Sequence, residues 1–289
     1  MKNIDIHADD FALSINSSKD IINCINKNKI NSISIIPNMN CFSKCMKLLN
    51  NTKTSIEMSI HLNFLEGKSV SKKELVNNLV DKQGYFKLSW TELFLLSYNP
   101  FKYKKIKNEL KIEIKNQIEK LKPFIKSIRI DSHQHTHMIP IVFKSLMEVI
   151  DENNYKVEYI RISEEYNTPY LKNIFKCNIL NFRNILCHII LNLLSKHQKK
   201  ILKNKNIKFS SLWGIIMSGN MNYKRINILL NDFIAKSKNH TLEILFHPGT
   251  VLKEELTSEF TKKSFNKFHI SYKRKLEYET IMNLKIEVY

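Results

Sequence analysis

A chain of 289 residues, 43% hydrophobic and 25% charged, is long enough to bury a large core and too apolar to stay disordered, and its length suits one α/β barrel or two smaller domains. Its formal net charge of +19 implies an anionic partner, whether nucleic acid, a membrane surface or an acidic substrate. The five cysteines, Cys24, Cys41, Cys45, Cys177 and Cys187, are odd in number and lack CxxC spacing, which speaks against a disulfide framework or zinc knuckle; with no signal peptide and no apolar run of ~18 residues, a cytoplasmic protein is expected.

In chain order, alternation from Lys2 to Ala8 predicts a first strand that ends where Asp9 and Asp10 begin. Ser17 and Asp20 resemble a capping box, ahead of a helix reaching Lys27. Ser32 to Ile36 reads as a second strand, Phe42 to Leu49 as a short helix, and Ser55 to Ile60 as a third strand leading into His61. Residues 68–100 lack a sustained period and read as an excursion of the kind that lies over a site. A helix from Phe101 to Leu121, a strand from Ser127 to Ile130, a helix opened by Pro140 and a strand from Val157 to Ile162, which delivers Arg161, come next.

Residues 171–210 hold nine Lys or Arg and no Asp or Glu, and read as a basic helical insertion. Its first half is apolar and its second half, Lys196 to Lys208, carries six lysines, which suits either packing on the body of the protein or an interfacial helix on anionic lipid. A strand from Leu212 to Met217, a helix from Asn222 to Lys236, a strand from Leu242 to Phe246, a helix from Tyr272 to Asn283 and a short strand from Lys285 to Val288 complete the reading. Strand and helix alternate throughout, which favours a parallel sheet with its chemistry at the carboxyl ends of the strands.

Chemistry-bearing residues follow the predicted strands. Asp9 and Asp10 come after the first, His61 after the third and His247 after a later one. The run Asp131-Ser132-His133-Gln134-His135-Thr136-His137 follows the fourth, and its alternate residues share one face if the strand continues that far. One carboxylate with two imidazoles leaves open positions on a divalent ion, which is the pattern of catalytic ligation. A second carboxylate and a further histidine are at hand to move protons.

Four blocks carry a family resemblance: Ala8-Asp9-Asp10-Phe11, the stretch from His61 to Gly67, the stretch from Asp131 to His137, and Phe246-His247-Pro248-Gly249. Together they resemble the signature of the YdjC-like carbohydrate deacetylases, which include the chitooligosaccharide deacetylases. The resemblance implies a single-domain, distorted (β/α) TIM-like barrel that removes acetyl groups from N-acetylated sugars with a divalent ion, Mg2+ or Zn2+. It implies Asp10, His61 and His133 as metal ligands, with His137 the alternative third, Asp9 as general base and His247 as the acid for the leaving amine. Arg161 would hold the base ionised, and Asp131, His135 and His137 would line the substrate site. Ala12 stands where the family pattern has glycine.

On this reading the partner is an N-acetylhexosamine unit of an oligosaccharide or glycolipid, with room for lipid linkage, for peripheral contact of residues 171–210 with the inner face of the membrane, and for a homo-oligomer. Two other classes are weighed. A non-haem iron oxygenase would use the same two-His, one-carboxylate set but gives Asp9 and His247 no role. A nucleic-acid-binding protein rests on charge alone, in a segment poor in aromatics for stacking bases.

Overall fold

The computed structural model describes residues 4–52, 55–177, 181–237 and 240–285. Seven parallel strands form one sheet: β1 (Ile4–Phe11), β2 (Ser32–Ile35), β3 (Glu57–Leu62), β4 (Ile128–Ser132), β5 (Val157–Ile160), β6 (Ser211–Trp213) and β7 (Leu242–Phe246). Their order is β5-β4-β3-β2-β1-β7-β6. The sheet is curled. Arg161, at the end of edge strand β5, crosses the interior to bond Asp9 of β1 and Glu243 of β7, and the two edges meet at isolated bridges, Tyr159 to Lys208 and Glu165 to Leu212. The short strand expected from Lys285 to Val288 falls almost wholly outside the described residues.

The alternation of β2 shows how the layers are built, because successive side chains point to opposite faces. Ile33 and Ile35 belong to the main apolar core, whereas Ser32 and Ser34 face inward and bond the two ring nitrogens of His7 at 2.6 and 2.7 Å. The interior of the curl is therefore polar, and the apolar core lies between the sheet and its helices. The helix Ile15–Asn26 buries Ile21, Cys24 and Ile25 there. Its cap is Ser14, whose hydroxyl accepts from Ser17 N, rather than Ser17 as expected.

Three strands run further than the sequence pattern shows. β1 continues through Asp9 and Asp10 to Phe11, β3 takes in His61, and β4 reaches Ser132. The excursion at residues 68–100 contains a short helix, Trp90–Leu96, capped by a Ser89 and Glu92 box. The helix Tyr103–Leu121 follows close to its expected place.

The segment read as a basic insertion is part of the fold. The helix Phe182–Asn204 lies between β5 and β6, where a parallel sheet needs a crossover. It buries His188, Leu191, Ser195, Gln198 and Leu202, and Gln198 Nε2 donates to the Met138 carbonyl at 2.7 Å. Phe182, Leu186, Ile189 and Leu193 form an exposed stripe at helical spacing. No helix among the described residues is long and apolar enough to cross a membrane.

Candidate active site

Register brings the site together. His61 pairs with Asp131 across β3 and β4, Ala8 with Phe246 across β1 and β7, and Ile130 with Ile160 across β4 and β5. One residue past these pairs stand Asp9 beside His247 and Asp131 beside Arg161. The strand ends are then bent into place. Asp10 and Ala12 have φ of 68° and 67°, a left-handed conformation that costs an L-residue roughly 1–2 kcal/mol and accounts for glycine at the second position in the family pattern.

A second bend overturns the one-face reading of the histidines. β4 stops at Ser132, and Gln134 and His135 both have φ of 53°, so the three imidazoles diverge. His133 turns to Asp10, with Nδ1 3.0 Å from Oδ1. His135 lines the cavity and meets the Ser163 hydroxyl at 2.9 Å. His137 is fully buried between the Ser132 hydroxyl, 2.6 Å away, and the Arg161 carbonyl, 2.8 Å away. With both ring nitrogens so engaged, it reaches neither cavity nor ligand set, and burial pushes its pKa down to about 4.

Asp10 Oδ1, His61 Nε2 and His133 Nδ1 converge, with Asp10 3.0 Å from His133 and 3.5 Å from His61. This donor set fits a divalent ion, because the groups behind it hold each ligand in a binding posture. Asp131 Oδ1 lies 2.7 Å from His61 Nδ1, Glu66 Oε2 lies 3.1 Å from His133 Nε2, and Arg274 Nη1 donates to Asp10 Oδ2 at 2.7 Å. Asp131, expected to touch substrate, is buried beneath the site as the partner of His61. Burial opposes charge on His61, but Asp9 and Asp131 raise its pKa to about 10; Asp10 and Glu66 overcome the same penalty and raise that of His133 to about 9.

The other half of the site sets a buried, arginine-bound carboxylate opposite a histidine. Arg161 grips Asp9 with two bonds of 3.0 and 2.9 Å, meets Asp131 at 3.1 Å and Glu243 at 2.6 Å, and is itself buried. Burial alone would raise the Asp9 pKa, but Arg161, His61 and His7 hold it well below the carboxylate range. His247 stands opposite, Nε2 4.0 Å from Asp9 Oδ2. Asp9, His61, His133, His135 and His247 open on one cavity of about 340 Å³, walled by Phe265 and Phe268 and flanked by Arg183, Lys267 and Lys273.

Several contributors were not singled out in the sequence. His7 precedes Asp9 by two residues on β1, so strand alternation could have placed it on the same face. Glu66 lies inside a signature block, and His269 meets its Oε2 at 2.9 Å. Arg274 and Glu277 sit one turn apart in a charged helix, Tyr272–Asn283, where nothing in the sequence separates them from their solvated neighbours.

The family model described as YdjC-like protein matches residues 3–287. The chain belongs to the YdjC-like family. Among curated relatives, a carbohydrate deacetylase of Clostridium beijerinckii is 28% identical over 192 residues, 65% of this chain and 74% of that protein. One of Thermoanaerobacter pseudethanolicus is 29% identical over 170 residues, 58% of this chain and 59% of that protein, so the match spans less than two thirds of the second relative. A solved structure from Enterococcus faecalis V583, named for cellobiose-phosphate cleavage, has a TM-score of 0.62 at 18% identity and covers 99% of this chain and 97% of that one. That likeness shows a shared fold over the whole chain.

Proposed function

We propose that this YdjC-like protein hydrolyses the acetamide of an N-acetylhexosamine unit in an oligosaccharide or glycolipid and releases acetate, with a divalent ion, Mg2+ or Zn2+, held by Asp10, His61 and His133. One observation supports the reading: His61 and His133 of the three-donor set, the Arg161-held carboxylate of Asp9 and the imidazole of His247 open on a single cavity, with Asp10 buried behind His61 and His133. When bound, the ion would polarise the acetamide carbonyl and acidify a water. Asp9, kept ionised by its two bonds from Arg161, would accept that water's proton. His247, across the cavity, would protonate the departing amine. An iron oxygenase would leave both of these groups idle.

The cavity wall favours a sugar with an anionic group. Phe265 and Phe268 offer apolar faces to the ring, and Arg183, Lys267 and Lys273 supply positive charge. The name of the Enterococcus protein, which joins a disaccharide to phosphate, supports the same class. Peripheral membrane contact rests on the exposed Phe182, Leu186, Ile189 and Leu193 stripe running into the lysines after it. Sedimentation with anionic vesicles, weakened by salt and again by Lys-to-Gln changes from Lys196 to Lys208, is the outcome that reading requires. The unpaired thiols support a reducing, cytoplasmic setting.

Acetate release assayed with and without chelator tests the main proposal. Asp9→Asn should keep its metal and lose about 10²- to 10⁴-fold in turnover, whereas Ala at Asp10, His61 or His133 should lose the metal itself. A metal-loaded protein that frees no acetate from any N-acetylated glycan or glycolipid would end this reading. Full occupancy in His133→Ala with loss in His137→Ala would reverse the ligand assignment.

A further inference from the structure

The helix Tyr272–Asn283 sends two buried charges under the site, and the first, Arg274, is bonded to Asp10. Glu277, one turn on, is fully buried. Its Oε1 accepts from Gly219 N and its Oε2 from His247 N, both at 2.6 Å. Oε2 also lies 3.6 Å from His247 Nδ1, a buried atom with no hydrogen-bond partner. Nε2 of the same ring points the other way, toward Asp9. The ring is thus set between two carboxylates, one in the cavity and one behind it.

We propose that Glu277 is the positioning residue of the acid: it takes the Nδ1–H of His247, keeps Nε2 aimed into the cavity, and stabilises the imidazolium that delivers the proton. The proposal rests on the deacetylase reading and deepens it. As the C–N bond breaks, its electron pair stays on nitrogen and takes the proton from His247 Nε2; the ring is left neutral, its Nδ1–H held by Glu277. Contacts of this kind are often long before substrate binds and tighten in the complex. The other groups facing the ring are Asp9 from β1, His135 from the turn after β4, and the edge of Phe268, whose centroid is 5.9 Å away.

Because Glu277 also holds two backbone N–H groups, activity loss in one variant is not enough. Glu277→Gln is therefore assayed on an N-acetylated sugar, whose amine leaves only when protonated, and on 4-nitrophenyl acetate, whose phenolate leaves unaided. The expected result is a drop of about 10²-fold in kcat on the amide with KM nearly unchanged, and less than about threefold on the ester. Added to His247→Ala, the change should cost less than about twofold more, since both act through one proton. In protein with ¹⁵N-labelled histidine, the neutral His247 ring should carry its proton on Nδ1, and should lose that preference in Glu277→Gln. Equal losses on amide and ester, additive losses in the double variant, or an unmoved His247 tautomer would each overturn the proposal. A wild type that cleaves the ester but no acetamide sinks the deacetylase reading instead, and the His247 tautomer still reports on Glu277.

Discussion

Arg161 and Lys199 both hold carboxylates, the first wholly buried against Asp9, Asp131 and Glu243, the second with its side chain 29% exposed against Glu164 at 2.5 Å. On a diagram they look alike. Inside the curl these groups are almost wholly buried, so the charges there are mutually dependent. Along the Phe182–Asn204 helix, water solvates whatever an ion pair releases, and pairs such as Lys205 with Asp151 add little. Dense charge in a sequence can mark either situation, and burial decides which.

The largest test of that contrast is Arg161→Met. It strands three buried carboxylates, so urea unfolding should show a loss of about 3–5 kcal/mol, with Asp9 protonating at a higher pH than before. A loss below about 1 kcal/mol would mean that the interior admits water and that the contrast is false.

A smaller effect is expected one layer behind the proposed metal ligands. Asp131→Asn and Glu66→Gln leave His61 and His133 in place but remove the carboxylates that orient them, and metal affinity by competition with a fluorescent chelator should fall about 10- to 100-fold in each. Unchanged affinity in both would reduce these pairs to packing.

The pH dependence follows from the same network. His61 and His133 have pKa values raised to about 10 and about 9 in the metal-free site. A raised folded-state pKa gives stability that is complete below the ordinary histidine value of about 6.5 and is lost as pH climbs through the folded values. Chelated protein should therefore lose thermal stability between about pH 6.5 and 10, while metal uptake strengthens over the same range because the ion displaces those protons. Melting curves with and without metal at several pH values check both trends. A chelated protein with flat stability across that window would contradict the paired-histidine picture.

The smallest effect should come from the surface. Lys199→Gln is expected to change stability by under 1 kcal/mol, in line with exposed pairs generally. A cost near that of Arg161→Met would place the helix charges in the same class as the interior ones.

Much of this was legible in the chain itself. Alternating apolar periods located all seven strands, and β7 coincides with its predicted bounds. Asp9, Asp10, His61, His133 and His247 stood out because reactive side chains recur at predicted strand ends, and parallel sheets collect their chemistry there. The backbone bends were not legible: left-handed residues at Asp10 and His135 decide which of several nearby acids and histidines join the three-donor set or reach the cavity, and no local propensity announces them. Nor was the crossover role of the Phe182–Asn204 helix, whose composition resembles that of a surface excursion until its buried face is seen. Arg274 and Glu277 lie 264 residues from Asp10 and 30 from His247 along the chain, and only tertiary packing joins them. Periodicity is a property of neighbours in sequence, so it fixes strands and faces; the pairing of buried charges depends on which elements meet, and that is decided when the sheet curls.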